Sequence, residues 1–142
     1  MAEFTYAKGR INESIEFISK EIKEFEKEYA GKSWKDYQNE AKIQKLIDRT
    51  VENILTALIE VSGTIVAEKG ISAENYSEVM KSAAKIFGFK IEDQEVLAKL
   101  ASLRNRLAHR YLDYKWDAIK YYKENSQLII KYLSKILEGI KT

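Results

Sequence analysis

Apolar residues recur along the N-terminal stretch at alternating steps of four and three: Ile11, Ile15, Ile18, Ile22, Phe25 and Tyr29. Such steps place them on one side of a helix. They predict an element from about residue 5 to residue 29 that stops near Gly31. Ser33, with Asp36 three positions on, has the form of a helix start. A second stripe runs through Ile43, Ile47, Val51, Ile54, Leu58, Val61 and Ile65, so one long helix is expected to end before Gly70.

Residues 70 to 76 read as a loop, and Asn75 followed by Glu78 gives the capping signal for a short third helix closing near Gly88. A fourth helix is expected from near Glu92, its acidic residues at the positive end and its stripe running Val96, Leu100, Leu103, Leu107. Helical spacing lapses from Tyr111 to Tyr114. Asp113 is then placed to cap a last helix carrying Tyr122, Ile129, Leu133, Ile136 and Ile140. The pattern predicts an all-α protein, five helices packed antiparallel in a bundle, with residues 1–142 as a single domain.

Composition narrows the chemistry. No proline and six glycines suit long helices, and the absence of cysteine removes disulfides, thiolate metal sites and a cysteine nucleophile. No apolar run approaches a membrane span and no opening segment has the layout of a signal peptide, so a cytoplasmic location without membrane association is expected. The net charge of +2 means little until its distribution is considered. Between Lys99 and Lys123 there are seven Lys or Arg against two acids, which leaves the rest of the chain net acidic.

The single histidine, His109, lies in that basic stretch, where the fourth helix is expected to end. Imidazole titrates near neutrality and can pass a proton between two oxygens, such as the 2′-hydroxyl and leaving 5′-oxygen of RNA. A guanidinium can clamp the phosphate and offset the charge that develops on it. Asn105, four residues before His109, shares its helix face and could orient the imidazole or touch the phosphate. Arg104 is five before it and diverges by about 140° on a regular helix. The two converge only if the helix ends first or if a second subunit contributes. On spacing alone His109 reads either as a helix-end packing residue or as a catalyst, and the arginines either as a solvated face or as a phosphate-binding one.

The octet Arg104-Asn105-Arg106-Leu107-Ala108-His109-Arg110-Tyr111 resembles the Arg-x4-His-x-Tyr signature of the HepT-type HEPN ribonucleases, toxins of toxin–antitoxin pairs. The resemblance extends to the short third helix, the Gly-containing turn and the acidic-starting fourth helix, while the N-terminal half resembles the family only in helical pattern. It implies a five-helix HEPN-type bundle that forms a homodimer whose two motifs meet across a cleft. Arg104 and His109 would be the catalytic pair acting on an RNA substrate, without metal or cofactor, and Asn105 the supporting residue. Tyr111 would be the site at which an antitoxin resembling a minimal nucleotidyltransferase of the MntA type attaches AMP. Arg106 and Arg110 lie outside the signature and are expected to bind RNA through non-specific phosphate attraction, with Tyr114 and Trp116 packing the following turn. The alternative is a non-catalytic HEPN module that docks a nucleotidyltransferase or a nucleotide.

Overall fold

In the computed structural model the backbone is described for residues 2–141 and the side chains for residues 10–139. Among the described residues all regular structure is helical, as expected, but there are seven α-helices and not five: α1 (Ala2–Glu24), α2 (Trp34–Asn39), α3 (Ala41–Glu68), α4 (Tyr76–Ile86), α5 (Ile91–Leu103), α6 (Leu112–Glu124) and α7 (Ser126–Lys141). A π-helical turn, Phe25–Tyr29, prolongs α1, and a 3₁₀ segment, Arg104–Ala108, follows α5.

Both extra helices arise where one expected helix is broken by a single residue. Glu40 takes an extended conformation (φ −116°, ψ 93°), closing α2 with its N–H and opening α3 with its carbonyl. Asn125 breaks the last helix: its amide Nδ2 donates to the Tyr121 carbonyl at 2.9 Å, while its own carbonyl accepts from Leu128 and Ile129. Asparagine competes in this way for backbone groups that a continuous helix would use. The apolar period runs through both breaks, which is why it does not reveal them.

The predicted stripes form the core. Ile11 through Tyr29 are all buried, as are Ile47, Val51, Ile54, Leu58, Val61 and Ile65 of α3, with Ile43 partly so. On α5 and beyond, Leu100, Leu103 and Leu107 are buried and Val96 partly so; Tyr122, Ile129, Leu133 and Ile136 complete the set. Ile140 lies outside the described side chains. The longest helix, α3, is central and packs on α1, α2, α4, α5, α6 and the 3₁₀ segment. Against the expectation that nothing approaches a membrane span, α3 is long and apolar enough to cross one, but 61% of its most apolar window is buried in the protein's own core.

The caps follow the sequence in two cases of three. Ser33 and Asp36 form a reciprocal capping box at 3.0 and 3.1 Å, and Asn75 Oδ1 accepts from the Glu78 N–H at 2.9 Å. Asp113, however, does not cap α6: Tyr111 occupies that position without a side-chain bond, and Asp113 sits inside the first turn near the positive helix end. Gly70 and Gly88 adopt φ of +69° and +80°, letting Ile71 and Phe89 donate back to Val66 and Ala84 and so terminate α3 and α4.

One interhelical network bears directly on the motif. Asp48 of α3 accepts from Tyr37 Oη of α2 at 2.5 Å and from Lys115 Nζ of α6 at 2.8 Å. Beside it the rings of Trp34, Tyr37 and Trp116 pack with centroids 4.9 to 6.0 Å apart. The short α2 thereby ties the N-terminal end of α6, immediately after Tyr111, to the central helix.

Candidate functional site

The octet from Arg104 to Tyr111 lies in the connection between α5 and α6. The α-helix stops at Leu103, Arg104–Ala108 winds as a 3₁₀ segment, and His109 is extended (φ −78°, ψ 157°) with its N–H bonded to the Arg106 carbonyl at 3.0 Å. Leu107 alone in this segment is buried, and it anchors the turn to the core. The condition for Arg104 and His109 to approach each other, an early helix end, is therefore met.

The two side chains nonetheless part. Arg104 turns back onto α3: Nε donates to Thr56 Oγ1 at 2.9 Å and one terminal nitrogen lies 3.9 Å from Glu52 Oε1. It lines a groove between α1 and α3 together with Phe17, Asn53 and Glu60. Asn105 follows Arg104 and not His109, its Oδ1 accepting from the guanidinium at 3.3 Å. The four-residue spacing that would join Asn105 to the imidazole holds on an α-helix but not on a 3₁₀ turn, where neighbours lie three apart.

His109 faces a second environment. Its ring stacks at a 29° tilt against that of Tyr111, centroids 5.8 Å apart, and meets Tyr114 edge-on at 5.0 Å. Arg106 lies over the Tyr114 ring at 4.4 Å and Arg110 over Tyr111 at 5.7 Å. His109, Arg110, Tyr111 and Tyr114 are all exposed, and Arg106 is half-exposed. Among the described residues no hydrogen bond links Arg104 to His109, so the chain presents the guanidinium and the imidazole as two half-sites on one short segment.

Three residues at these half-sites carry no functional signal in the sequence. Glu52 and Thr56 are four apart on α3 and share a face, but nothing local pairs them with an arginine 48 positions away from Thr56. Tyr114, expected to pack, is 39% exposed beside the histidine, whereas Trp116 does pack, against Trp34 and Tyr37.

Chemically, an exposed imidazole can exchange protons with a bound ligand, and the surrounding cations can attract phosphate. Compared with known protein families, the chain matches the one described as ribonuclease HepT-like over residues 18–136, most of its length and the whole of the motif segment. A search of curated proteins returns no match.

Proposed function

Because the chain belongs to the HepT-like ribonuclease family, we propose that it is a metal-independent endoribonuclease toxin whose site is completed by two copies of the Arg104–Tyr111 segment. The carrying observation is the division of that segment, with His109 exposed among cations and aromatic rings and Arg104 turned toward α3.

In this reading His109 takes the proton from the 2′-hydroxyl or returns one to the leaving 5′-oxygen. Arg104, from the same chain or from a second copy, binds the phosphate and stabilises the charge built up in the transition state. Attack by the substrate's own hydroxyl forms the new P–O bond as the 5′-oxygen departs, leaving a 2′,3′-cyclic phosphate. It requires no activated water, hence no metal to generate one. Asn105 holds Arg104 in place, while Arg106 and Arg110 raise the local concentration of RNA.

Control belongs to Tyr111 under the same proposal. Tyr111 is 57% exposed, which suits transfer of AMP to its hydroxyl by an MntA-like minimal nucleotidyltransferase antitoxin. A phosphodiester there would add negative charge beside His109 and repel RNA phosphate. Toxin and antitoxin would meet in the cytoplasm.

The test is incubation of the purified protein with RNA in EDTA, beside its His109→Ala variant. Wild type is expected to leave 2′,3′-cyclic phosphate ends. Loss of a general acid–base catalyst lowers the rate by about 10²–10⁴-fold, and the exposed position of His109 predicts an unchanged circular dichroism spectrum. Equal cleavage by both proteins, or none by either, overturns the assignment; none by either returns the chain to a docking module.

A further inference from the structure

Of the two tyrosines that flank His109, only Tyr111 has been given a task, yet Tyr114 is placed just as deliberately. It lies in the first turn of α6, which Lys115 and Asp48 pin to α3, so its backbone is firmly held. Its ring meets the imidazole at 5.0 Å and carries the Arg106 guanidinium over it at 4.4 Å. The tyrosines that serve the core look different: Tyr37, Tyr122 and Tyr132 are fully buried.

We propose that Arg106 and Tyr114 form a base-stacking subsite that receives one unpaired nucleotide of RNA adjacent to the phosphate served by His109; this rests on the ribonuclease reading. A guanidinium already lying over a ring presents a flat cationic plate, and its pre-positioning lowers the entropy lost when a ligand is held. Unstacked bases bind well on such arginine and aromatic planes, with little regard to sequence because every base has a π-face. A base within a duplex is already stacked between its neighbours and has no free face to offer. The subsite thus selects single strands, loops and bulges over helical RNA. It also gives Arg106 a role that a general phosphate-attracting cation lacks, since lysine would supply the charge but not the plate.

The experiment measures binding apart from cleavage, using a short single-stranded RNA with 2′-fluoro groups, which lacks the attacking hydroxyl. Each stacked base contributes enough to predict roughly tenfold weaker binding for Tyr114→Leu and for Arg106→Lys, and near wild-type binding for Tyr114→Phe. A series of oligonucleotides each carrying one abasic position, bound to the wild-type protein, should show one position with a comparable loss. That arm does not depend on any variant folding. The same sequence annealed to its complement should bind more weakly than the single strand. Wild-type affinity in Tyr114→Leu, a lysine variant as tight as wild type, or an abasic series without a sensitive position each overturns the subsite. If the subsite is absent but cyclic-phosphate cleavage of unmodified RNA persists, the ribonuclease reading stands alone; if binding behaves as predicted with no cleavage of unmodified RNA, that reading falls instead.

Discussion

Replacing Lys115 by methionine tests whether the network around Asp48 holds the motif in place. Opposite charges 2.8 Å apart attract by about 6 kcal/mol at an effective dielectric constant of about 20, before desolvation is counted. Both side chains are only 12% exposed, so much of that attraction is offset by removing two ions from water. The net worth of the pair is therefore small. Its disruption is not, because Lys115→Met leaves the Asp48 carboxylate enclosed with Tyr37 Oη as its remaining donor. Removing one partner of a fully buried pair costs about 3–5 kcal/mol, and the residual water access here brings the expectation to about 2–3 kcal/mol. For a chain of this size that is a fall in Tm of roughly 5–10 °C.

Urea denaturation of Lys115→Met, Asp48→Leu and the double variant closes the cycle. The double variant is expected to be less destabilised than the two single variants added together, with a coupling of about 2 kcal/mol, since it strands no charge. Lys115 also donates its backbone N–H to the Tyr111 carbonyl at 3.1 Å, a bond the substitution leaves in place; the single variant loses only the Nζ tether of α6 to Asp48, and through it should lose RNA cleavage even at temperatures where it is fully folded. Additive costs in the cycle, with coupling under about 0.5 kcal/mol, would refute the reasoning and reduce the pair to an ordinary surface contact.

Three further outcomes are expected. Thr56→Val removes the acceptor for Arg104 Nε and should lower kcat/KM with little change in stability. Glu52→Gln removes a carboxylate that competes with phosphate for Arg104; a partly exposed pair of this kind is worth up to about 1 kcal/mol, so KM should fall by about two- to fivefold. Steady-state kinetics of both variants decides, and identical KM in Glu52→Gln would show that Arg104 does not meet the substrate. Alkali provides the third. Burial raises the hydroxyl pKa of Tyr37, Tyr122 and Tyr132 above the ordinary 10.0, with the Asp48 bond adding to the rise at Tyr37 and the Ser62 bond partly opposing it at Tyr132. Below about pH 10 both folded and unfolded chains keep these protons and their contribution is fully present. Above it the unfolded chain releases protons that the folded one retains, and stability falls by about 1.4 kcal/mol per tyrosine for each pH unit. Parallel tyrosinate absorbance and circular dichroism should show these three of the nine tyrosines ionising only as helix is lost. Ionisation of all nine with the helices intact would contradict it.

The elements that the sequence made legible are those whose signal is local. Ser33 and Asp36 cap each other because they are three residues apart, and the stripe from Ile11 to Tyr29 is buried because helical geometry alone puts it on one face. The breaks at Glu40 and Asn125 are hidden for the opposite reason: one residue changes conformation while the apolar phase continues on either side. The same distinction explains the candidate site. That His109 stands in a basic stretch is a property of the sequence, and so is the octet itself. Where Arg104 points is not, because its direction is set by Thr56 and Glu52 on a helix far away in the chain. Nor is the exposure of Tyr114, since an aromatic residue after a turn has the same letter whether it fills a core or faces water. The 140° divergence of Arg104 and His109 holds only on an α-helix, and the segment is a 3₁₀ turn followed by an extended residue. The helix ends early enough for the two side chains to approach, and they still face different surroundings. Their separation within the chain thus comes from the tether on α3 and not from helix pitch, so loosening that tether at Thr56 or Glu52 is the perturbation to which a two-copy site should respond most directly.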